Sequence, residues 1–305
     1  MGTRRLTRRK LLKLGTSALI FPVGHAETRD LVGLTVNQNP RPGVSIWPVT
    51  DLPHQTIGFE LSELPGEEFR IVIPELISDD TEPILPWEQP SPKWNIGRGT
   101  ARCSIEIQDK IHMDAEVLFC KERIVTRVAA TNLSQVTWKN VNAFTCFAFY
   151  AAPSFDDPEL TRTYFPVDGQ WKSVSVLFAE HDPGSGPYTF FPVAGGPQLE
   201  DLWLGRKISQ HHPQIVSKGC ACVVSKDGRW IAGMATRTPA YAFHNRRERC
   251  IHADPLLGTI PPDTTAEGVA TVFIFRGTFT DFTRQCNAEK PFPCESREVF
   301  RKSGG

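Results

Sequence analysis

The chain has 305 residues, and its 25 prolines, 23 glycines and 19 phenylalanines favour sheets joined by many turns. Of its 34 basic residues, six lie in residues 1–26, which hold no acid; the remaining chain has 28 basic against 34 acidic residues, a net charge of −6. This charge argues against a nucleic-acid partner, and the length suits one large all-β domain or two smaller ones.

Residues 1–26 are predicted to be an export signal. Their basic part, 7–13 (TRRKLLK), resembles the twin-arginine signal of bacteria. The apolar run that follows, 11–23, is too short to span a bilayer, for which roughly 20 residues are needed. We therefore predict that the chain meets a membrane only during export and works in the periplasm or outside the cell. An ordinary secretory signal and an uncleaved basic anchor are the alternatives.

Lysine substitution tests the export route. If the twin-arginine pathway is used, replacing Arg8 and Arg9 with lysine is expected to trap the precursor in the cytoplasm, since the pathway's receptor reads the arginine pair. Cell fractionation measures this, and unchanged export would rule out the route.

The stretch from residue 27 to residue 96 is predicted to hold irregular N-terminal strands. Its strand-like runs are 44–49, 55–61 and 69–73. Prolines and acids between 74 and 93 indicate a surface loop, which contains Trp87 and is followed by Trp94. Tryptophans on such loops either stack on sugar rings or pin the loop to the core, and burial explains most of them.

From residue 97 to residue 150 the pattern predicts successive antiparallel strands. The predicted strands are 101–108, 111–119, 124–131 and 137–150. In the second of them, His112, Asp114 and Glu116 alternate with apolar residues, which is typical of a strand with one wet face. We interpret these three side chains as a solvated surface.

The longest stretch without a clear pattern is 153–186, which contains Trp171 and His181. An irregular insertion in a β domain often covers one end of the sheet and carries binding residues. A strand at 188–193 and a short helix at 199–208 are predicted to follow.

The best-defined core of the sequence lies at 220–277. Asp227 and Gly228 form a dipeptide that favours a tight hairpin between two apolar runs. The next strand carries Cys250, His252 and Asp254 at alternate positions, so that all three point to one face. The run 269–275 is apolar on both faces and predicts a buried central strand.

The chain has eight cysteines, which an exported protein can pair. Cys286 and Cys294 close a short loop with two prolines and are the candidate bridge, although connectivity cannot be deduced from spacing. Most of the others lie in apolar strand patterns, where cysteine behaves as a small buried hydrophobe. The sequence has no CxxC pair, which argues against zinc-ribbon and thioredoxin sites.

Motifs for other chemistries are missing as well. The sequence contains no GxxxxGK[ST], GxGxxG, GxSxG or HExxH pattern. This argues against nucleotide-binding, dinucleotide-binding, esterase and zinc-protease functions, and no cofactor is specified.

Two stretches carry a family resemblance: 128–141 (VAATNLSQVTWKNV) and 260–276 (IPPDTTAEGVATVFIFR). Together they resemble the paired strands of galactose-mutarotase-like β-supersandwich domains, which occur in epimerases, glycoside hydrolases and polysaccharide lyases. With the hairpin signals, the resemblance implies one all-β domain over 27–305. We expect a mostly antiparallel β-sandwich with its core at 97–285, few short helices and a carbohydrate ligand.

Mutarotase-like activity needs a general acid and a general base across a sugar ring, commonly Glu or Asp with His. The one such pair that shares a strand face here is His252 with Asp254, our candidate catalytic residues. No separate catalytic glutamate can be placed. The candidate substrate-binding residues come from nearby in the chain and from the irregular stretch: His244, Asn245, Trp171 and His181.

Three alternatives to a sugar enzyme stay open. In a structural envelope protein, Asp254 would orient His252 as a buried pair and Asn245 would cap a turn. In a non-catalytic carbohydrate-binding module, tryptophans would act as platforms: Trp87, Trp94 or Trp171. In a divalent-metal-dependent enzyme, Zn²⁺ would be bound by nitrogen and oxygen donors. These donors would come from His244, His252 and Asp254, with His211 or His212.

Overall fold

The computed structural model describes residues 40–50, 55–87, 92–184, 186–208 and 210–287, all of which lie in one compact unit, Asn37–Glu295. The predicted export signal, 1–26, lies outside the described residues, and its role stays a prediction. Among the helices of the described chain, none combines the length and the apolar character that a membrane crossing requires.

Strands dominate the described residues. In chain order they are β1 (Val44–Pro48), β2 (Thr56–Leu61), β3 (Phe69–Ser78), β4 (Pro83–Leu85), β5 (Asn95–Gly97), β6 (Thr100–Ile107), β7 (Ile111–Phe119), β8 (Ile124–Asn132), β9 (Trp138–Ala148), β10 (Thr163–Val167), β11 (Gln170–Ser173), β12 (Tyr188–Phe191), β13 (Cys220–Val224), β14 (Trp230–Thr236), β15 (Pro239–Asn245), β16 (Cys250–Ile260) and β17 (Thr265–Arg276). The helices are α1 (Val174–Glu180), α2 (Trp203–Lys207) and α3 (Phe279–Asn287), with a 3₁₀ turn at Leu199–Asp201.

These strands form two sheets. Sheet 1 has the order β1-β2-β3-β9-β16-β15-β12, with β4 on β3, and sheet 2 has the order β11-β10-β13-β14-β17-β8-β7-β6-β5. Every pairing between these named strands is antiparallel. One large apolar cluster with members from both sheets fills the space between them. The predicted antiparallel β-sandwich with few short helices is confirmed.

Strand β7 shows how alternation builds this sandwich. Its alternate apolar residues are buried in the cluster between the sheets: Ile111, Met113, Ala115, Val117 and Phe119. On the opposite face, His112 Nε2 lies 3.2 Å from Asp114 Oδ2, and Glu116 pairs with Arg102 at 2.6 Å. The predicted wet face is confirmed, and its polar groups satisfy one another.

The predicted hairpin between β13 and β14 is present, although its loop spans 225–229 and is longer than a two-residue turn. Gly228 has a φ of 72°, in the left-handed region that glycine adopts without strain. Asp227 Oδ1 accepts hydrogen bonds from Ser225 Oγ at 2.6 Å and from the Arg229 N–H at 3.0 Å, which closes the turn. Strand β17, as expected, lies inside sheet 2 between β14 and β8.

Two stretches that were predicted to be irregular contain regular structure. Strand β3 continues through Pro74 to Ser78 instead of ending at Ile73, because a register shift between Val72 and Leu76 leaves the proline without a ladder bond to make. The stretch 153–186 likewise contains β10, β11 and α1. Its strands are short, and their apolar residues are too few to show a period.

The predicted Cys286–Cys294 bridge is wrong. Cys286, on α3, is a free thiol whose side chain meets that of Cys220 on β13. Among the described cysteines, Cys120, which directly follows β7, forms a disulfide. The short spacing between Cys286 and Cys294 predicted a bridge that closes a local loop. In the structure, α3 packs on sheet 2, which places Cys286 beside β13, a strand that is remote in the sequence.

Candidate functional site

The outer face of sheet 1, the one turned away from sheet 2, carries the predicted catalytic residues. On β16, Ile251 and Ala253 point into the core between the sheets, so His252 and Asp254 point outward. Both are nevertheless 0% exposed, because a second apolar cluster covers this face. That cluster brings aromatic side chains of β9 and β15 together with the 3₁₀ turn and α2.

His252 and Asp254 form a tightly enclosed pair. The ring of His252 packs against Phe144, with centroids 4.1 Å apart, and against Phe243 at 4.6 Å. Its Nδ1 lies 3.4 Å from Asp254 Oδ1, which also accepts a hydrogen bond of 2.6 Å from the Thr145 N–H. Among the described residues, Asp254 Oδ2 has no hydrogen-bond donor.

Burial and the neighbouring carboxylate act in opposite directions on the protonation of His252. Burial by itself lowers the pKa of His252, but the neighbouring Asp254 raises it, and the resulting pKa is about 10. Burial raises the pKa of Asp254, which His252 and the Thr145 N–H oppose. A buried charge of this kind persists only with a partner at hand, so each member depends on the other.

A third ionisable group, Glu75, belongs to the same site. It lies in the irregular segment of β3, between Val72 and Leu76, and it is half-buried. Burial raises the pKa of Glu75 to about 7, and the negative charges of Asp254 and Glu248 add to this increase. His252 and a hydrogen bond with Trp87 act in the opposite direction and lower the pKa. A carboxyl with a pKa near 7 can both accept and donate a proton under physiological conditions.

Sequence reasoning missed Glu75 because the run 74–93 was interpreted as a loop. One signal was present: a proline inside an apolar strand marks a bulge, and bulges often re-aim a side chain beside an active site. Pro74 immediately precedes Glu75 in such a strand.

Half-buried aromatic and polar side chains surround this part of the face. Trp87 lies 6.5 Å from Trp203 and 6.4 Å from Phe144, measured between ring centroids. Tyr188 stacks on Phe243 with centroids 6.1 Å apart. Further along, Arg70 on β3 lies over the ring of Tyr150, 4.8 Å from its centroid, and donates a hydrogen bond to the Tyr150 hydroxyl. The face thus offers apolar rings together with donors and acceptors.

The two other candidates from β15 do not join this pair. His244 points toward the core, like Ala242 two residues before it, and lines a void of about 10 Å³ between the sheets. Burial, with Arg246 and His252 adding to it, lowers the pKa of His244 to about 3. Asn245 accepts hydrogen bonds from the N–H groups of Arg247 and Glu248, the turn-capping arrangement of the structural alternative.

Trp171 and His181 also lie elsewhere. Trp171 stacks on Phe279 of α3, with centroids 5.6 Å apart, on the outer side of sheet 2. His181 is exposed and lies 5.5 Å from the His212 ring. The side chains that cover the His252 face come instead from Trp87, Tyr188 and α2. Trp94 packs against the main core, as the structural interpretation of the tryptophans predicts.

The predicted nitrogen and oxygen metal ligands do not converge either. His244 is on the core side of sheet 1, His211 Nε2 lies 2.6 Å from the Gly205 carbonyl, and His212 Nε2 lies 3.0 Å from the Leu177 carbonyl. Strand alternation and local hydrogen bonds separate these histidines from His252.

Neither a protein-family model nor a curated protein matches this sequence. Solved structures do have similar folds. A galactose mutarotase related enzyme from Lactobacillus acidophilus is 8% identical, with a TM-score of 0.41 and coverage of 77% of this chain and 98% of that one. A GalM/aldose epimerase homologue from C. elegans is 8% identical, with a TM-score of 0.33 and coverage of 61% and 69%.

A chondroitinase AC lyase is 7% identical, with a TM-score of 0.30, over 77% of this chain and 39% of the lyase. The first two are named for galactose mutarotase and aldose epimerase, the family that the sequence resemblance named. Similarity this distant carries no argument about chemistry, which has to come from the residues of the site.

Glu75 is expected to make stability depend on pH. Its pKa is about 7 in the folded protein against 4.5 for an ordinary glutamate, so its contribution favours folding below about pH 4.5 and is lost as the pH rises to about 7. Raising the pH from 4.5 to 7 is expected to lower the free energy of unfolding of the wild type more than that of Glu75→Gln. The difference between the two decreases should be on the order of 2 kcal/mol. Urea denaturation in EDTA measures this, and parallel pH curves for the two proteins would contradict it.

Proposed function

We propose that this is an exported enzyme that binds a sugar or polysaccharide on the outer face of sheet 1, where Glu75 transfers a proton to or from the ligand. One observation carries the proposal: a half-buried carboxyl interacts with the buried His252–Asp254 pair on a face rimmed by aromatic rings. Structural carboxylates are usually paired at the surface and rarely placed beside a buried charge.

The rim suits a polyhydroxylated ligand. Sugars present apolar C–H faces, which stack on aromatic rings, and hydroxyls, which need both donors and acceptors. Trp87, Trp203 and Tyr188 supply half-buried rings, while Arg70 and Tyr150 supply polar groups on the same sheet. Ligand sites commonly combine an apolar wall with a few polar groups in this way.

Glu75 and the pair beneath it have complementary roles in the proposed reaction. Glu75 acts as general base in one direction and general acid in the other, because its pKa lies near the working pH. Protonated His252, oriented by Asp254, places a positive charge in a water-poor setting, where it stabilises negative charge that develops on the ligand. The chemistry that fits is proton transfer on a sugar, as in mutarotation, epimerisation or elimination.

A glycan-array screen followed by turnover assays on every hit tests the proposal. We expect binding of at least one sugar, with turnover, and we expect Trp87→Ala and His252→Ala to weaken it. His181→Ala, an exposed histidine outside the face, is the matched control and should leave binding unchanged. Binding without turnover would make the chain a non-catalytic carbohydrate-binding module, and the absence of any binding would favour a structural envelope protein.

A further inference from the structure

We propose that Cys146, Cys250 and His252 form a zinc site beneath Glu75. Their ligand atoms, two sulfurs and one ring nitrogen, all lie within 4.8 Å of one another, and all three residues are buried. The inference extends the chemistry of the site and does not depend on sugar binding. It also differs from the predicted set of nitrogen and oxygen ligands, because thiolates supply two of its three ligands.

Strand register brings these ligands together. Cys250 and His252 are two residues apart on β16 and therefore share a face, and Cys146 on β9 is the direct partner of His252. Cys250 Sγ lies 3.3 Å from His252 Nε2, and the side chain of Cys146 is within hydrogen-bonding reach of both. Tetrahedral zinc with Zn–N and Zn–S bonds of about 2.0 and 2.3 Å separates such ligand atoms by about 3.5–3.8 Å. Small adjustments therefore admit the ion.

The carboxylate of Asp254 lies behind His252, as carboxylates commonly do behind zinc-binding histidines. Asp254 Oδ1 is 3.4 Å from Nδ1 and is held by the Thr145 N–H, while Nδ1 makes no hydrogen bond within the described residues. A small turn of the ring would form the Nδ1 to carboxylate bond that orients such histidines and leaves Nε2 for the metal. Phe144 and Phe243 enclose the ring on its sides, which keeps water away from the site.

Glu75 is the carboxyl from β3 that lies near the cluster. Its carboxyl interacts electrostatically with both Cys250 and His252. Zinc on two cysteines and one histidine takes a fourth ligand, which in catalytic zinc sites is water or substrate. Zinc at Nε2 would displace the His252 proton and the two thiol protons, and the two thiolates would balance the charge of the ion.

A disulfide is the competing use of the two cysteines, and strand geometry disfavours it. Because Cys146 pairs with His252, it is a diagonal neighbour of Cys250, and diagonal Cα atoms lie about 7–8 Å apart. Disulfides need about 4.4–6.8 Å. Both residues are free thiols in the structure. A metal ion can bridge this diagonal, whereas a direct bond requires the backbone to move.

Metal analysis of the full-length purified protein tests the site without any sugar. We expect one equivalent of zinc by mass spectrometry and, after replacement by Co²⁺, a thiolate-to-cobalt charge-transfer band. Cys146→Ala and Cys250→Ala should each weaken zinc binding at least 100-fold, and Asp254→Asn about 10–100-fold. Cys103→Ala, which removes a buried free thiol from sheet 2, is the matched control and should retain the zinc.

The cobalt spectrum of the wild type decides the matter even if a cysteine variant fails to fold. The absence of the charge-transfer band, or full zinc retention in both cysteine variants, would overturn the site. Failure of the two proposals is distinguishable: a wild-type protein that binds neither Zn²⁺ nor Co²⁺ but turns over a sugar with dependence on Glu75 would end the zinc site and leave the sugar enzyme. Stoichiometric zinc in a protein that binds no sugar would support the zinc site and end the sugar enzyme.

Discussion

Replacing Asp254 with alanine is expected to lower the free energy of unfolding by about 3–5 kcal/mol, since removing one member of a buried ion pair leaves the other uncompensated. Asp254 and His252 are both 0% exposed, and the Thr145 N–H also loses its acceptor. Urea denaturation at neutral pH measures the change.

The chain contains a matched control for this prediction. His112 and Asp114 form a second His-x-Asp pair on a strand, but their side chains are 35% and 20% exposed. Water screens that pair, so Asp114→Ala is expected to cost less than about 1 kcal/mol. If both variants lost the same free energy of unfolding, burial would not determine how much the His252 pair contributes to stability.

Replacing Glu75 with glutamine is expected to reduce turnover of the sugar ligand by about 10²–10⁴-fold, the usual contribution of a positioned proton-transfer group. Glutamine keeps the shape and hydrogen-bonding capacity of the side chain but cannot carry the proton. Ligand affinity should change much less than turnover, because the aromatic rim supplies most of the contact. Steady-state kinetics and a separate binding measurement distinguish the two effects.

Glu116→Gln serves as the control for the loss of one negative charge. Glu116 is 14% exposed, pairs with Arg102 and lies on β7 of sheet 2, away from the proposed site. Its replacement should leave turnover unchanged. A similar loss in both variants, or unchanged turnover in Glu75→Gln, would contradict the role of Glu75 as the proton-transfer group.

The His252 ring nitrogens illustrate why one residue enters both proposals. Nδ1 faces Asp254 and Nε2 faces the cysteines, so the ring links a carboxylate to two thiols. With a proton on Nε2 the ring is a cation, whereas with zinc there the charge of the ion is balanced by the two thiolates. The metal analysis distinguishes these two states.

Local patterns determined much of the fold in advance. The alternation at 111–119 predicted β7 with the bounds that the structure shows, and the Asp227-Gly228 dipeptide predicted its hairpin. The same alternation placed His252 and Asp254 on one face. These features depend on residues a few positions apart, whose side chains alternate whatever the rest of the chain does.

Only the tertiary structure decided which residues surround that pair. Glu75, Cys146 and His252 come from β3, β9 and β16, which are far apart in the sequence and adjacent in sheet 1. Register between such strands is set by the packing of the whole sheet, and a shift of one residue turns every side chain to the other face. For that reason His244, although near His252 along the chain, lies on the core side, while Glu75, remote in sequence, lies beside the pair.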